Sequence, residues 1–265
     1  MENPAKSATL DLNLSQRLHR ALTAGKEELF QVLEDPSMEV ARSALRNPVL
    51  DDNHLLAVLR RRDLSEDFLK AVSKLEMIAE NHTLKVAMAH NPGTPGSLLA
   101  AILPSLYLFE LVTICYLAGA TPDQKVAAER MIIKRLPTTP LGNKLVLARR
   151  GTPAVTEALL REGDPRLMEA CLSNPHLKES AIYAFINGPS ASGETITMVA
   201  RHPRWKNRIN LQLAILKNPK TPGVWFTLFL SHLNFHDVKE LRMSQRLTPG
   251  QKRLVEEELK RRGRV

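Results

Sequence analysis

The sequence predicts an all-α protein, a right-handed α-α superhelix (a solenoid) of about five ~43-residue helical repeats with terminal capping helices. Three observations carry that expectation. Leu, Ala, Lys, Arg and Glu dominate, and period-2 runs of β-branched residues are missing. Prolines recur at long, nearly regular intervals. Apolar residues flank those prolines in a fixed register.

The prolines set the elements. Pro48, Pro92, Pro137, Pro175 and Pro219 are separated by 44, 45, 38 and 44 residues, and Asn precedes all but Pro137, which follows Leu136. Four residues before each lie Ala44, Met88, Ile133, Cys171 and Ile215. Eight before lie Val40, Leu84, Glu129, Leu167 and Leu211. Ten after lie Val58, Ile102, Leu147, Phe185 and Phe229. Such spacings describe one buried stripe per helix, so each proline separates two helices. A third helix follows in most units: 65–78, 106–118, 153–162, 193–201 and 235–246. Residues 1–37 read as an N-terminal tail and capping helix, 38–247 as the repeats, and 248–265 as a basic capping helix closed by Gly263. Three proline junctions carry a second signal. Asn91–Pro95 reads N-P-G-T-P, Leu136–Pro140 L-P-T-T-P and Asn218–Pro222 N-P-K-T-P. The Thr is expected to cap the next helix and the second Pro to enter its first turn.

The N-P-x-T-P hinge with its Leu-rich helix resembles the leucine-rich repeat variant, a bacterial α-solenoid family. Helix count and period resemble HEAT and armadillo repeats. The likeness covers roughly Met38 to Leu233. It implies a surface for macromolecular partners. Variant repeats are shorter, near half this period, and their founding example carries a four-Cys iron–sulfur domain. This chain has two cysteines, so no cluster carries over.

Composition excludes several classes. Two thiols, Cys115 and Cys171, cannot build a disulfide framework, and they suit a reducing, cytoplasmic setting. Met1 to Leu14 is polar without a signal-peptide core. From Leu98 to Ala120 the only charge is Glu110, but Pro104 and the repeat register divide the run between two core helices, so no membrane span is expected. The net charge of +9 is uneven. Residues 201–265 hold 15 Lys plus Arg against 5 Asp plus Glu, and residues 1–200 hold 22 against 23. The basic end calls for an anionic partner.

No phosphate loop, dinucleotide fingerprint, nucleophile elbow or H-E-x-x-H occurs. Asp51 and Asp52, close to His54, read as helix caps before acid–base groups. His232 and His236 with Asp237 would share a face only on a continuous helix, and Asn234 marks a boundary there, so no metal site is expected. Arg60, Arg61 and Arg62, like Arg149 and Arg150, suit helix C-termini. Arg201, Arg204, Trp205, Lys206 and Arg208 are different: four cations and a Trp within eight residues near a helix start, where cations oppose the dipole. Two readings stand. The cations meet an acidic partner or phosphates while Trp205 stacks or covers, or Trp205 anchors the repeat amid solvated charges. Lys217, Lys220 and Lys239 are expected to join the same field. Lys252, Arg253, Lys260, Arg261, Arg262 and Arg264 share the last helix with Glu256, Glu257 and Glu258, as a solvated cap or a basic tail.

The expectation is a non-catalytic scaffold that binds a protein partner, one with an acidic surface, and uses no cofactor. The alternative is a HEAT-like protein that binds nucleic acid through its basic quarter. A HEAT-like DNA glycosylase would need an acid among Trp205 and Trp225, and none is placed there. No small-molecule substrate is evident.

Overall fold

A computed structural model describes residues 4–263, with side chains described from Asn13 onward. Arg264 lies outside the described residues. Among these residues every regular element is helical and no strand occurs. Contacts divide the chain into two compact units, residues 1–132 and 133–265.

The first unit holds α1 (Pro4–Thr23), α2 (Lys26–Leu33), α3 (Met38–Ala44), α4 (Asp52–Val58), α5 (Glu66–Val72), α6 (Glu76–Glu80), α7 (His82–His90), α8 (Gly96–Ile102) and α9 (Leu108–Tyr116). Helix α10 (Pro122–Arg135) starts in it and runs across the boundary. Alternate helices stack: α1 on α3, α3 on α5, α2 on α4, α4 on α7, and α7 on α9. The second unit holds α11 (Leu141–Arg150), α12 (Pro153–Glu162), α13 (Pro165–Leu172), α14 (Glu179–Ile186), α15 (Gly193–Arg201), α16 (Ile209–Lys217), α17 (Gly223–Leu230), α18 (Phe235–Met243) and α19 (Pro249–Arg261). Here α11, α13 and α15 form one row and α12, α14, α16 and α18 the other, while α17 packs on α19. No described helix is long and apolar enough to cross a membrane, and the run from Leu98 divides between α8 and α9.

All five prolines fall between α-helices. The apolar register around them is buried at Val40, Ala44, Leu84, Met88, Leu167, Cys171, Leu211 and Ile215. It slips at Pro137, where Ala128 and Ile132 are buried in place of Glu129 and Ile133. The stacking interval also differs from the expected 43 residues. Starts in one row fall at 141, 165 and 193, and in the other at 153, 179, 209 and 235, so neighbours are 24 to 30 residues apart. Pro175 and Pro219 enclose three helices, α14 to α16. A helix-ending proline recurs wherever a helix must stop, whichever row that helix occupies. The hinge threonines depart from expectation as well. Thr94 Oγ1 donates to Met88 O at 2.6 Å, Thr139 Oγ1 to Arg135 O at 2.8 Å, and Thr221 Oγ1 to Ile215 O. They close the preceding helix, and the second proline becomes the N-cap of the next.

The two units repeat one plan. Helices α2, α3, α4, α5, α7, α8, α9 and α10 begin at 26, 38, 52, 66, 82, 96, 108 and 122. Helices α12 to α19 begin at 153, 165, 179, 193, 209, 223, 235 and 249, each later by 127. The buried polar bonds repeat at the same offset. Asn47 Nδ2 donates to Ala21 O and Ala24 O at 3.0 and 3.1 Å. Asn174 Nδ2 donates to Ala148 O and Gly151 O at 2.9 and 3.1 Å. Asn91 reaches Leu59 O at 2.9 Å and Asn218 reaches Ile186 O at 2.6 Å. Each of these Asn side chains also accepts from the backbone N–H two residues on. The side-chain amide thus satisfies carbonyls that helix ends leave open. Gln124 and Gln251 open α10 and α19 in capping boxes with Thr121 and Thr248. Their amides donate to Asn91 O at 2.7 Å and to the matching Asn218 O at 3.4 Å. The chain is a tandem duplication of a 127-residue helical unit.

Candidate interaction surface

The cation-rich segment lies between two helices, with Arg201 ending α15 and Arg208 capping α16. Its centre is a buried anchor. Trp205 is 3% exposed, and its Nε1 donates to Leu172 O at 2.9 Å. It fills the core position that Ile78 fills in the first unit. The expectation that Trp205 meets a partner is corrected: an apolar ring of that size gains more from the core than from the surface. Trp225 is likewise buried, with Nε1 donating to Thr197 Oγ1 at 3.1 Å, so neither indole can hold a base.

The cations around Trp205 diverge. Arg204 lies 4.3 Å over the Trp205 ring and donates to Asn174 O, Pro175 O and Leu177 O at 2.7, 3.2 and 3.2 Å. It closes the α13–α14 turn. Arg201 sits 5.9 Å over Trp225. Lys220 Nζ donates to Pro189 O and Ala191 O at 2.9 and 2.7 Å. Arg262 likewise donates to Leu233 O at 2.9 Å. Lys206 and Lys239 are exposed and take part in no ion pair among the described residues.

Two of the expected residues do converge. Lys217 lines a groove of about 530 Å³ between α14 and α16, with Glu179, Tyr183, Asn210, Leu213 and Ala214. Arg208 Nε lies 3.8 Å from Glu179 at its edge, and Lys217 Nζ pairs with Glu240 at 2.7 Å. Asn210 Nδ2 reaches Glu179 Oε1 at 3.5 Å, which sets the N-terminal turns of α14 and α16 side by side. Tyr183 stands 49% exposed. Its position missed notice because it falls on the polar side of a helix singled out only for its buried stripe. The signal was there: an aromatic residue opposite that stripe.

The remaining constellations serve the fold. Burial pushes the Cys115 and Cys171 thiols up to about 12, so both stay protonated. Asp51 caps α4 by accepting from His54 N at 3.1 Å, and a hydrogen bond from Lys26 holds its pKa near 2. His232 lies before α18 and shares no helix with His236. The donor atoms of His236, Asp237 and Glu240 come within 4.8 Å of one another, but Glu240 is held by Lys217. Comparison with known protein families, curated proteins and solved structures finds no match for this chain.

Proposed function

We propose that the chain is a non-catalytic interaction scaffold, a HEAT- or armadillo-like right-handed superhelix, that receives a segment of a protein partner in the α14–α16 groove. One observation carries the reading. The groove combines an exposed Tyr183 and the apolar Leu213 with Lys217, the mixture of aromatic anchor and polar rim that interfaces favour. Lys178, Lys206 and Arg208 stand at or just before the N-terminal ends of α14 and α16, which favours an acidic partner. The short stacking interval agrees with the length of leucine-rich repeat variants. A photo-crosslinking residue in place of Tyr183 should trap one protein of defined mass. Leu213→Glu should abolish the adduct, and the purified pair should bind directly. The same crosslinks from a probe at Arg149 on α11 would count against the groove.

A second reading rests on the exposed cations Lys206, Lys239 and Arg242, none of which is in an ion pair among the described residues. They would contact nucleic acid phosphates. Affinity for a duplex or single strand falling steeply with salt would favour it.

A further inference from the structure

The duplication gives the first unit its own copy of that groove, with different chemistry. Residues 56, 83, 86, 87 and 90 lie 127 before Tyr183, Asn210, Leu213, Ala214 and Lys217, and all ten positions line one groove or the other. In the first unit the space, about 360 Å³, is also lined by Leu117, Ala118 and Gly119. That volume is in the range of small-molecule sites, which pair apolar walls with a few convergent polar groups. Leu56, Leu59, Val86, Ala87 and Leu117 supply the walls.

The polar groups are Arg60, Arg62 and His90, with Thr83, and no carboxylate lines the space. The three successive arginines have separate fates. Arg61 is spent: its Nη1 donates to Asp35 O at 2.9 Å and its Nη2 to Asp63 at 2.7 Å. Arg60 and Arg62 are exposed, and among the described residues no carboxylate pairs with either. The carbonyls they could have capped are already served, because Asn91 Nδ2 donates to Leu59 O and Arg61 O at 2.9 and 2.6 Å. Arg62 is nevertheless held in place. A Cβ built on Gly119, at φ +97°, would meet Cζ, Nη1 and Nη2 each at 3.2 Å, so the guanidinium plane lies flat over that glycine. The third group, His90, has a buried Nε2 with no hydrogen-bond partner among the described residues.

We propose that this cavity binds a small organic anion, an apolar body ending in a carboxylate or phosphate, whose head group lies between Arg60 and Arg62, with the His90 ring in the wall beside it. Paired guanidiniums suit such oxyanions through charge-assisted bonds. The twin groove acts as an internal control, because Asn187 and Pro189 stand where Arg60 and Arg62 would be, and Glu179 lines it. One site per chain follows.

Isothermal titration of the intact protein with octanoate and with hexyl phosphate tests this, with inorganic phosphate and 1-octanol as partial ligands. The expected result is saturable binding of at least one tailed anion at a stoichiometry of one. The partial ligands should bind at least about tenfold more weakly. R60Q/R62Q, which changes only exposed side chains, should weaken binding by at least about tenfold. Binding should also shift the His90 ring nitrogen resonances, read by NMR on labelled protein. No saturable binding of either tailed anion at millimolar concentration would overturn the proposal. So would a stoichiometry of two, unchanged affinity in R60Q/R62Q, or His90 resonances that stay still.

Discussion

Two copies of one helical unit differ in residues 74–81 and their counterparts 201–208. In the first unit this stretch holds a short helix, α6, with Glu76 and Glu80 and a buried Ile78. In the second it is a turn with four cations and a buried Trp205. The carbonyl-capping amides did not change: Asn47 and Asn174, Asn91 and Asn218, Gln124 and Gln251 make matching bonds. An unmet buried carbonyl carries a fixed penalty, so the amides that serve helix ends resist replacement. Surface charge and the size of a core plug are free to drift. The concentration of cations in 201–208 is therefore partly a consequence of how the second copy closes its turn.

Core plugs should give the largest difference. Trp205→Ala is expected to cost about 4 kcal/mol and Ile78→Ala about 3 kcal/mol, through lost burial and the cavity left behind. Trp205→Phe should cost roughly 1 kcal/mol, for the bond to Leu172 O. Urea denaturation measures all three. A Trp205→Ala protein as stable as the parent would mean the indole is not an anchor. Next come the amides. Asn47→Ala and Asn174→Ala should each cost about 2–3 kcal/mol by orphaning buried carbonyls. The loss at Asn174 should be the slightly larger one, because its amide also donates to Thr156 Oγ1 at 2.9 Å. Losses differing by more than about 1.5 kcal/mol would break the equivalence of the two copies.

Helix ends were legible in the sequence because proline and its preceding Asn report local backbone chemistry, and local chemistry is what a single chain displays. Thr248 and Gly263 bounded the last helix for the same reason, and the side chain of Thr248 caps α19 as expected. The duplication was hidden by Pro137. It falls between the copies, and aligning it with the other four prolines imposed a 43-residue rhythm on a 127-residue one. Pro48 and Pro92 against Pro175 and Pro219 carry the true offset, as do T-P-D-Q at Thr121 and T-P-G-Q at Thr248. Of the interaction surface, Lys217 and Arg208 were legible as cations. The groove was not, because it depends on α14 and α16 being neighbours, and Tyr183 has no local mark of exposure. Charge runs gave no sign that Arg204 and Lys220 point at carbonyls, since where a long cation reaches is fixed by tertiary neighbours.

Arg204 gives a smaller contrast between the copies. Its counterpart is Met77, which caps nothing, so Arg204→Ala should cost about 1–2 kcal/mol while Met77→Ala costs well under that. Replacing Arg204, Lys206 and Arg208 together by Glu should then lower thermal stability, and restoring Arg204 alone should recover most of the loss. If stability is unchanged in the triple variant, the carbonyl bonds of Arg204 contribute nothing in solution.

The smallest effect belongs to acid. Asp51 caps α4 and pairs with Lys26 at 2.7 Å, while the equivalent positions in the second unit hold Lys178 and Pro153. The hydrogen bond from Lys26 holds the Asp51 carboxyl at about 2, below its ordinary 3.8. A carboxylate depressed by folding stabilises the native state above its ordinary pKa, and that contribution fades as pH falls from about 4 towards about 2. The first unit should therefore lose stability through this window by a route the second unit lacks. Lys26→Met should flatten that part of the acid profile, because the unpaired carboxyl titrates closer to its unfolded value. Salt should blunt the difference, since Lys26 is largely exposed and the pair is screened. Hydrogen exchange followed separately for α4 and α14 across pH 4 to 2 resolves the two copies. Equal loss of protection at both, or an acid profile that Lys26→Met leaves unchanged, would show that this ion pair contributes nothing to the difference between them.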